Sequence, residues 1–115
     1  TRRGVWGNEP VKEHPDTEHS IVGLQIPRWD ELLLIAARCY ELSQLGYVGV
    51  DIVLDKNLGP LILELNARPG LAIQIANGNG LVHRLHKIQQ LEAAGQLSPD
   101  PAGRVAYSRE HFPTT

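Results

Sequence analysis

The chain has 115 residues, a net charge of −2 from 11 Lys and Arg against 13 Asp and Glu, and one cysteine. That length fits a single domain over residues 1–115. The charge argues against a general grip on nucleic acid, which needs a basic face, and a lone thiol rules out an internal disulfide.

No run approaches the ~20 apolar residues of a membrane span. No signal-peptide pattern opens the chain, so the expected location is cytoplasmic, with no membrane partner. Residues 1–6 read as a short strand, residues 7–20 as an irregular polar loop with two prolines, and residues 21–26 as a weak strand or extended segment ending at Pro27. A helix is expected from Pro27 or Trp29 to Leu45. Asp30 and Glu31 complement the positive end of its dipole, Leu32, Ile35, Cys39 and Leu42 follow helical spacing, and Gly46 is placed to stop it. Cys39 lies among apolar residues, so a buried thiol is expected.

Residues 46–70 read GYVGVDIVLDKNLGPLILELNARPG and predict a β-hairpin turning through residues 55–59. Pro60, without an N–H, fits a strand start or an edge. Val48, Val50, Ile52 and Leu54 alternate with Gly49, Asp51 and Val53 on the first arm. Leu61, Leu63 and Leu65 alternate with Ile62, Glu64 and Asn66 on the second. Side chains alternate faces along a strand. A shared core therefore puts Ile52 on the side of Leu63, and Asp51, Glu64 and Asn66 on the opposite side. Two carboxylates and an amide are all oxygen donors and suit a hard divalent cation. The alternative is a half-exposed hairpin whose polar side simply meets water. Against it, two neighbouring carboxylates repel unless a cation or proton intervenes.

Beyond the hairpin, residues 67–70 form a loop leading to a short helical stretch over residues 71–76. Asn77-Gly78-Asn79-Gly80 breaks the chain, and a second helix is expected over residues 81–94. Leu81, Leu85, Ile88 and Leu91 lie on one side of it, and Gly95 is near its end. Residues 96–115, with Pro99, Pro101 and Pro113, are expected to be a loop-rich tail. The order of elements predicts an α+β fold, an antiparallel sheet with a central hairpin covered by helices.

GVDIV, a short turn, then GPLILELNARPGL resembles the carboxy-terminal catalytic segment of the ATP-grasp ligases, in particular the α-L-glutamate ligase-like branch related to enzymes that add glutamate to ribosomal proteins. Residues 29–81 carry the resemblance. It implies that the chain is a fragment, the C-terminal part of an ATP-grasp fold, whose N-terminal lobes, with the adenine pocket and phosphate-binding lysines, are missing partners. It implies a carboxylate–amine ligase acting through an acyl phosphate, with Mg²⁺ (or Mn²⁺) and ATP as cofactors and a small-molecule or peptide carboxylate and an amine, glutamate in that branch, as substrates. Asp51, Glu64 and Asn66 would hold the metal, Glu64 and Asn66 would meet the nucleotide through it, and Arg68 would be the catalytic cation. The isolated fragment is expected to be inactive.

Arg68 has a fork of donors that suits a phosphate or a carboxylate; an arginine paired with a surface acid is the alternative. Pro69 and Gly70 shape the turn into residues 71–76, where backbone N–H groups could face an anion or make only a plain turn. Gly49 could allow a ligand close to the sheet or be a weak point in the strand. His83 and His86 sit three apart on a helix without a third ligand nearby, beside Arg84 and Lys87, which suggest a solvated face. His14 and His19 flank an acidic HPDTEH segment that could touch substrate. A non-catalytic metal-, nucleotide- or protein-binding module with the same fold is the competing reading, because function lives in the site rather than the fold.

Overall fold

A computed structural model describes residues 1–112 of the chain. The elements are β1 (Gly4–Trp6), β2 (Glu9–Val11), α1 (Trp29–Ser43), β3 (Gly49–Asp55), β4 (Gly59–Asn66), α2 (Ala72–Asn77), α3 (Val82–Ala93) and α4 (Pro101–His111). The fold is α+β, with two two-stranded antiparallel sheets, β1–β2 and β3–β4. The described residues form two compact units, residues 1–27 with 70–96 and residues 28–69 with 97–112. None of the helices among the described residues is long and apolar enough to cross a membrane.

In the first unit, part of the expected loop over residues 7–20 is a strand. β2 pairs with β1 in the register Gly4↔Val11, Val5↔Pro10 and Trp6↔Glu9. The two connecting residues, Gly7 and Asn8, have φ of 54° and 68°, the paired left-handed conformation of a tight hairpin turn. Trp6↔Glu9 closes that turn as the hydrogen-bonded pair. Val5↔Pro10 is then a non-hydrogen-bonded position, where the missing N–H of Pro10 costs nothing. A bridge between Glu13 and Ser20 closes the HPDTEH segment. Residues 21–26 form no strand: Leu24 N–H turns back to the Ile21 carbonyl, and Gly23 adopts φ 79°.

Both remaining helices of this unit end in the same way. At α2, Gly78 N–H donates to Ile75 O and Asn79 N–H to Gln74 O; at α3, Gly95 N–H donates to Glu92 O and Gln96 N–H to Leu91 O. Gly78 and Gly95 have φ of 67° and 64°, the left-handed residue this double closure requires. Arg3 adds a cationic cap to α2. Its Nε donates to Ala76 O at 3.0 Å and its Nη2 to Ile75 O at 2.9 Å, bringing to the last-turn carbonyls a charge of the sign the dipole favours. On α3, Leu81 and Leu91 are half-buried while Leu85 and Ile88 remain exposed.

In the second unit, α1 begins after Arg28, whose φ of 57° makes the entry turn. Arg28 grips Glu31 with two hydrogen bonds of 2.6 and 2.8 Å. The helix stops at Gln44, also left-handed at φ 57°, rather than at Gly46. Leu32 and Cys39 are buried as the helical spacing expects, but Leu42 is 76 % exposed and does not belong to that face. Cys39 Sγ donates to Ile35 O, and burial pushes its thiol pKa up, with Glu41 adding to the effect. The α1 helix packs on β3 and β4, and α4 packs on α1.

The expected loop-rich tail is largely the helix α4. Asp100 is extended and accepts from Gly103 N–H at 3.0 Å, and Pro101 takes the first helical position. That pairing favours a helix start, since proline's fixed φ suits the first turn and its absent N–H is not missed there. Arg104 ties the helix down, donating to Pro99 O at 2.9 Å and to Ala37 O of α1 at 3.0 Å, and pairing with Glu41. Arg109 pairs with Asp30. Pro113, assigned to the same tail, lies outside the described residues.

Candidate functional site

The hairpin β3–β4 carries the candidate residues. Its turn is fixed by Asp55, whose Oδ1 accepts the N–H groups of Asn57 at 2.8 Å and Leu58 at 2.7 Å. Those two bonds hold the Asp55 carboxyl below its ordinary pKa. Gly59 completes the turn at φ 80°, with the Arg28 guanidinium lying against the position a Cβ would occupy. A three-residue turn closed by a left-handed glycine matches the twist of the two arms.

The ladder then runs Asp55↔Gly59, Leu54↔Pro60, Val53↔Leu61 and Ile52↔Ile62, shifts by one residue, and resumes at Asp51↔Glu64, Val50↔Leu65 and Gly49↔Asn66. Leu63 is the extra residue, a β-bulge on β4, and is 67 % exposed. The expectation that Leu63 shares the side of Ile52 is therefore corrected: Ile62 takes that place. Asp51 and Glu64 are direct partners, and Asn66 lies two residues beyond Glu64 on the same face, as the alternation predicts. All three are exposed. Directly opposed residues place their Cβ atoms about 4.5–5.5 Å apart. Neither carboxylate has a hydrogen-bond or ion-pair partner among the described residues.

The bulge has a second effect. Val53 follows Asp51 by two residues, and its partner is Leu61. The acid pair and an exposed apolar pair thus adjoin on one face. Period-two reading of β4 alone assigns Leu61 to the opposite side.

Past β4 the chain turns back. Asn66 Oδ1 accepts the Arg68 N–H at 2.9 Å, which leaves that oxygen a second lone pair. Pro69 then seats on Gly49: a Cβ built at Gly49 would lie 2.8 Å from Pro69 Cβ and 3.6 Å from Asn66 Cβ. The space over Gly49 is filled by the protein's own proline, so the reading of a ligand approaching there is corrected. A glycine inside a strand does signal close approach of other chain, but the sequence does not say of what. Arg68 is exposed on this loop, and its guanidinium makes no ion pair among the described residues.

Among the described residues no three His, Cys, Asp or Glu side chains gather as a metal-holding cluster. The acid pair would need Asn66, water or phosphate oxygens to complete a cation's shell, which is the way Mg²⁺ is commonly held. His83 and His86 are exposed on α3 and find no third ligand. The short helix α2 follows Leu71, which gives it no side-chain cap.

A family model described as sugar-transfer associated ATP-grasp matches residues 1–90. The glutamate ligase-like branch suggested by the hairpin is not what this match names. No curated protein and no solved structure matches the chain.

Proposed function

The chain belongs to the sugar-transfer associated ATP-grasp family, and from that membership we propose that it carries the metal- and nucleotide-facing half-site of an ATP-dependent carboxylate–amine ligase. The observation that carries the reading is the direct pairing of Asp51 with Glu64, two exposed carboxylates without a partner among the described residues and with Asn66 on the same face. Like charges placed directly opposite each other destabilise a ladder, and a divalent cation turns that repulsion into attraction. The donor set is oxygen throughout and fits Mg²⁺ or Mn²⁺.

Asp51, Glu64 and Asn66 would hold the cation, which when bound neutralises phosphate charge during phosphoryl transfer. The exposed Val53–Leu61 pair gives the same face an apolar floor against which a flat heterocyclic base could rest. Arg68, on the loop beyond Asn66, offers parallel donors to a phosphoryl or carboxylate group. The reaction class is activation of a carboxylate as an acyl phosphate followed by attack of an amine, a chemistry that asks the protein chiefly for positioning and charge neutralisation. Glutamate as the amine rests on the resemblance of GPLILELNARPGL alone. The family's description makes acceptors bearing a sugar the first class to assay.

The test is Mn²⁺-induced broadening of amide NMR signals, with and without ADP, in wild type and Glu64→Gln. Broadening centred on Asp51, Glu64 and Asn66 that weakens in the variant is the expected result. Broadening elsewhere, or none with ADP present, would overturn the half-site and leave a binding module without metal as the better reading.

A further inference from the structure

We infer that Gly49 and Pro69 form a positioning device that holds Arg68 beside the acidic face, an inference that rests on the half-site reading above. Three observations converge on the loop after β4. The Arg68 N–H is fixed by Asn66 Oδ1 at 2.9 Å, so the chain bends within two residues of the strand end. The next residue, Pro69, is half-buried, and its ring carbon occupies the place a Gly49 side chain would take, 2.8 Å from a built Cβ. Gly49 is in turn the ladder partner of Asn66 and stands two residues from Asp51 on the same strand, so Pro69 sits on the face that carries the acids. Arg68 is thereby pinned on both sides, by an amide–carbonyl bond at its own nitrogen and by a seated proline immediately after it.

The device works through shape rather than charge. Any side chain at residue 49 must displace a proline ring whose atoms are tied to the backbone, so the loop moves and not merely a side-chain tip. Gly49 has no positive φ, so alanine is conformationally acceptable there and the cost falls on the Pro69 contact alone. Arg68 has rotamer freedom, but its reach is set by where its Cα is held. A displacement on the scale of 1 Å is enough to weaken a charge-assisted contact at a site. Gly49 and Pro69 touch no ligand themselves; they act through Arg68.

The test is a mutant cycle read by calorimetric titration of the whole chain with Mn²⁺ alone and with Mn²⁺ and ATP. Gly49→Ala should leave the Mn²⁺ affinity unchanged and weaken ATP about tenfold, the size of one lost charge-assisted contact. Arg68→Ala should do the same, and the double variant should be no weaker than Arg68→Ala alone. Pro69→Ala, which leaves residue 49 untouched, should mimic Gly49→Ala and guards against a misfolded variant. Additive losses, an unchanged ATP affinity in Gly49→Ala, or an ATP affinity indifferent to Arg68 while Mn²⁺ still binds would overturn the positioning role. Absence of Mn²⁺ binding in wild type would instead overturn the half-site, and the inference with it.

Discussion

Asp51 and Glu64 face each other across a single ladder step, with a one-residue bulge immediately beyond them at Leu63. In the absence of a cation this pair opposes folding, because like-charged side chains placed directly opposite each other destabilise a ladder. Glu64→Gln should therefore raise metal-free stability by about 0.2–1 kcal/mol while removing most of the metal response. The gain should shrink in high salt, which screens exposed charges. Urea denaturation at low and high salt, with and without Mg²⁺, checks both halves. A variant that loses stability without metal would contradict the repulsion on which the site is built.

Gly59 separates two kinds of glycine in this chain. It combines φ 80° with the Arg28 guanidinium pressed against its open side, whereas Gly46 has open space and no positive φ. Gly59→Ala should cost about 1–3 kcal/mol through strain and the displaced arginine. Gly46→Ala should stay within about 0.5 kcal/mol of wild type. Equal midpoints in denaturant for the two variants would show that Arg28 does not hold the turn.

The β3–β4 turn should contribute to the acid limb of stability. The Asp55 carboxyl is lowered from its ordinary 3.8 by the Leu58 and Asn57 N–H groups. A group with a lowered folded pKa contributes stability that is fully present above the unfolded value and disappears as pH falls through the folded one. Stability measured in urea from pH 5 down to pH 2 should thus decline more steeply in wild type than in Asp55→Ala. Parallel slopes would remove Asp55 from the acid limb.

Helix α4 should depend on its cap. Asp100→Ala should cost about 1 kcal/mol, and Asp100→Asn much less, since asparagine caps nearly as well. Helical signal followed by circular dichroism through urea denaturation reads the difference. An alanine variant as stable as wild type would mean that Arg104 and its carbonyl partners hold α4 unaided.

The hairpin was legible because period-two alternation and a strong turn sequence agree with each other, and α1 and α3 were legible from helical spacing. The hairpin β1–β2 carried a readable signal too: Gly7-Asn8 is a two-residue turn pair, but three-residue strands are too short for alternation to announce. Asp100-Pro101 likewise marks a helix start, obscured by the prolines around it. The bulge at Leu63 had no local signal, because nothing in LILELN distinguishes an unpaired leucine from a paired one. At the site, the common face of Asp51, Glu64 and Asn66 followed from parity on the near side of the bulge. The seating of Pro69 on Gly49 did not, since it joins residues 20 apart in sequence through a fit that only three-dimensional packing defines.

Arg3 finds its two carbonyl acceptors 72 and 73 residues further along the chain. The unit it belongs to is written in two instalments, residues 1–27 and 70–96, with the hairpin's residues between them. A ribosome makes Arg3 and β1 well before α2, with all of residues 28–69 still to be added before α2 exists to receive them. Closure of that unit is therefore a late, long-range event, and loops of this length slow folding by delaying the contacts that reward their closure. Until α2 arrives the β1–β2 ribbon lacks the helix it packs with, and a two-stranded ribbon is too small to be stable by itself.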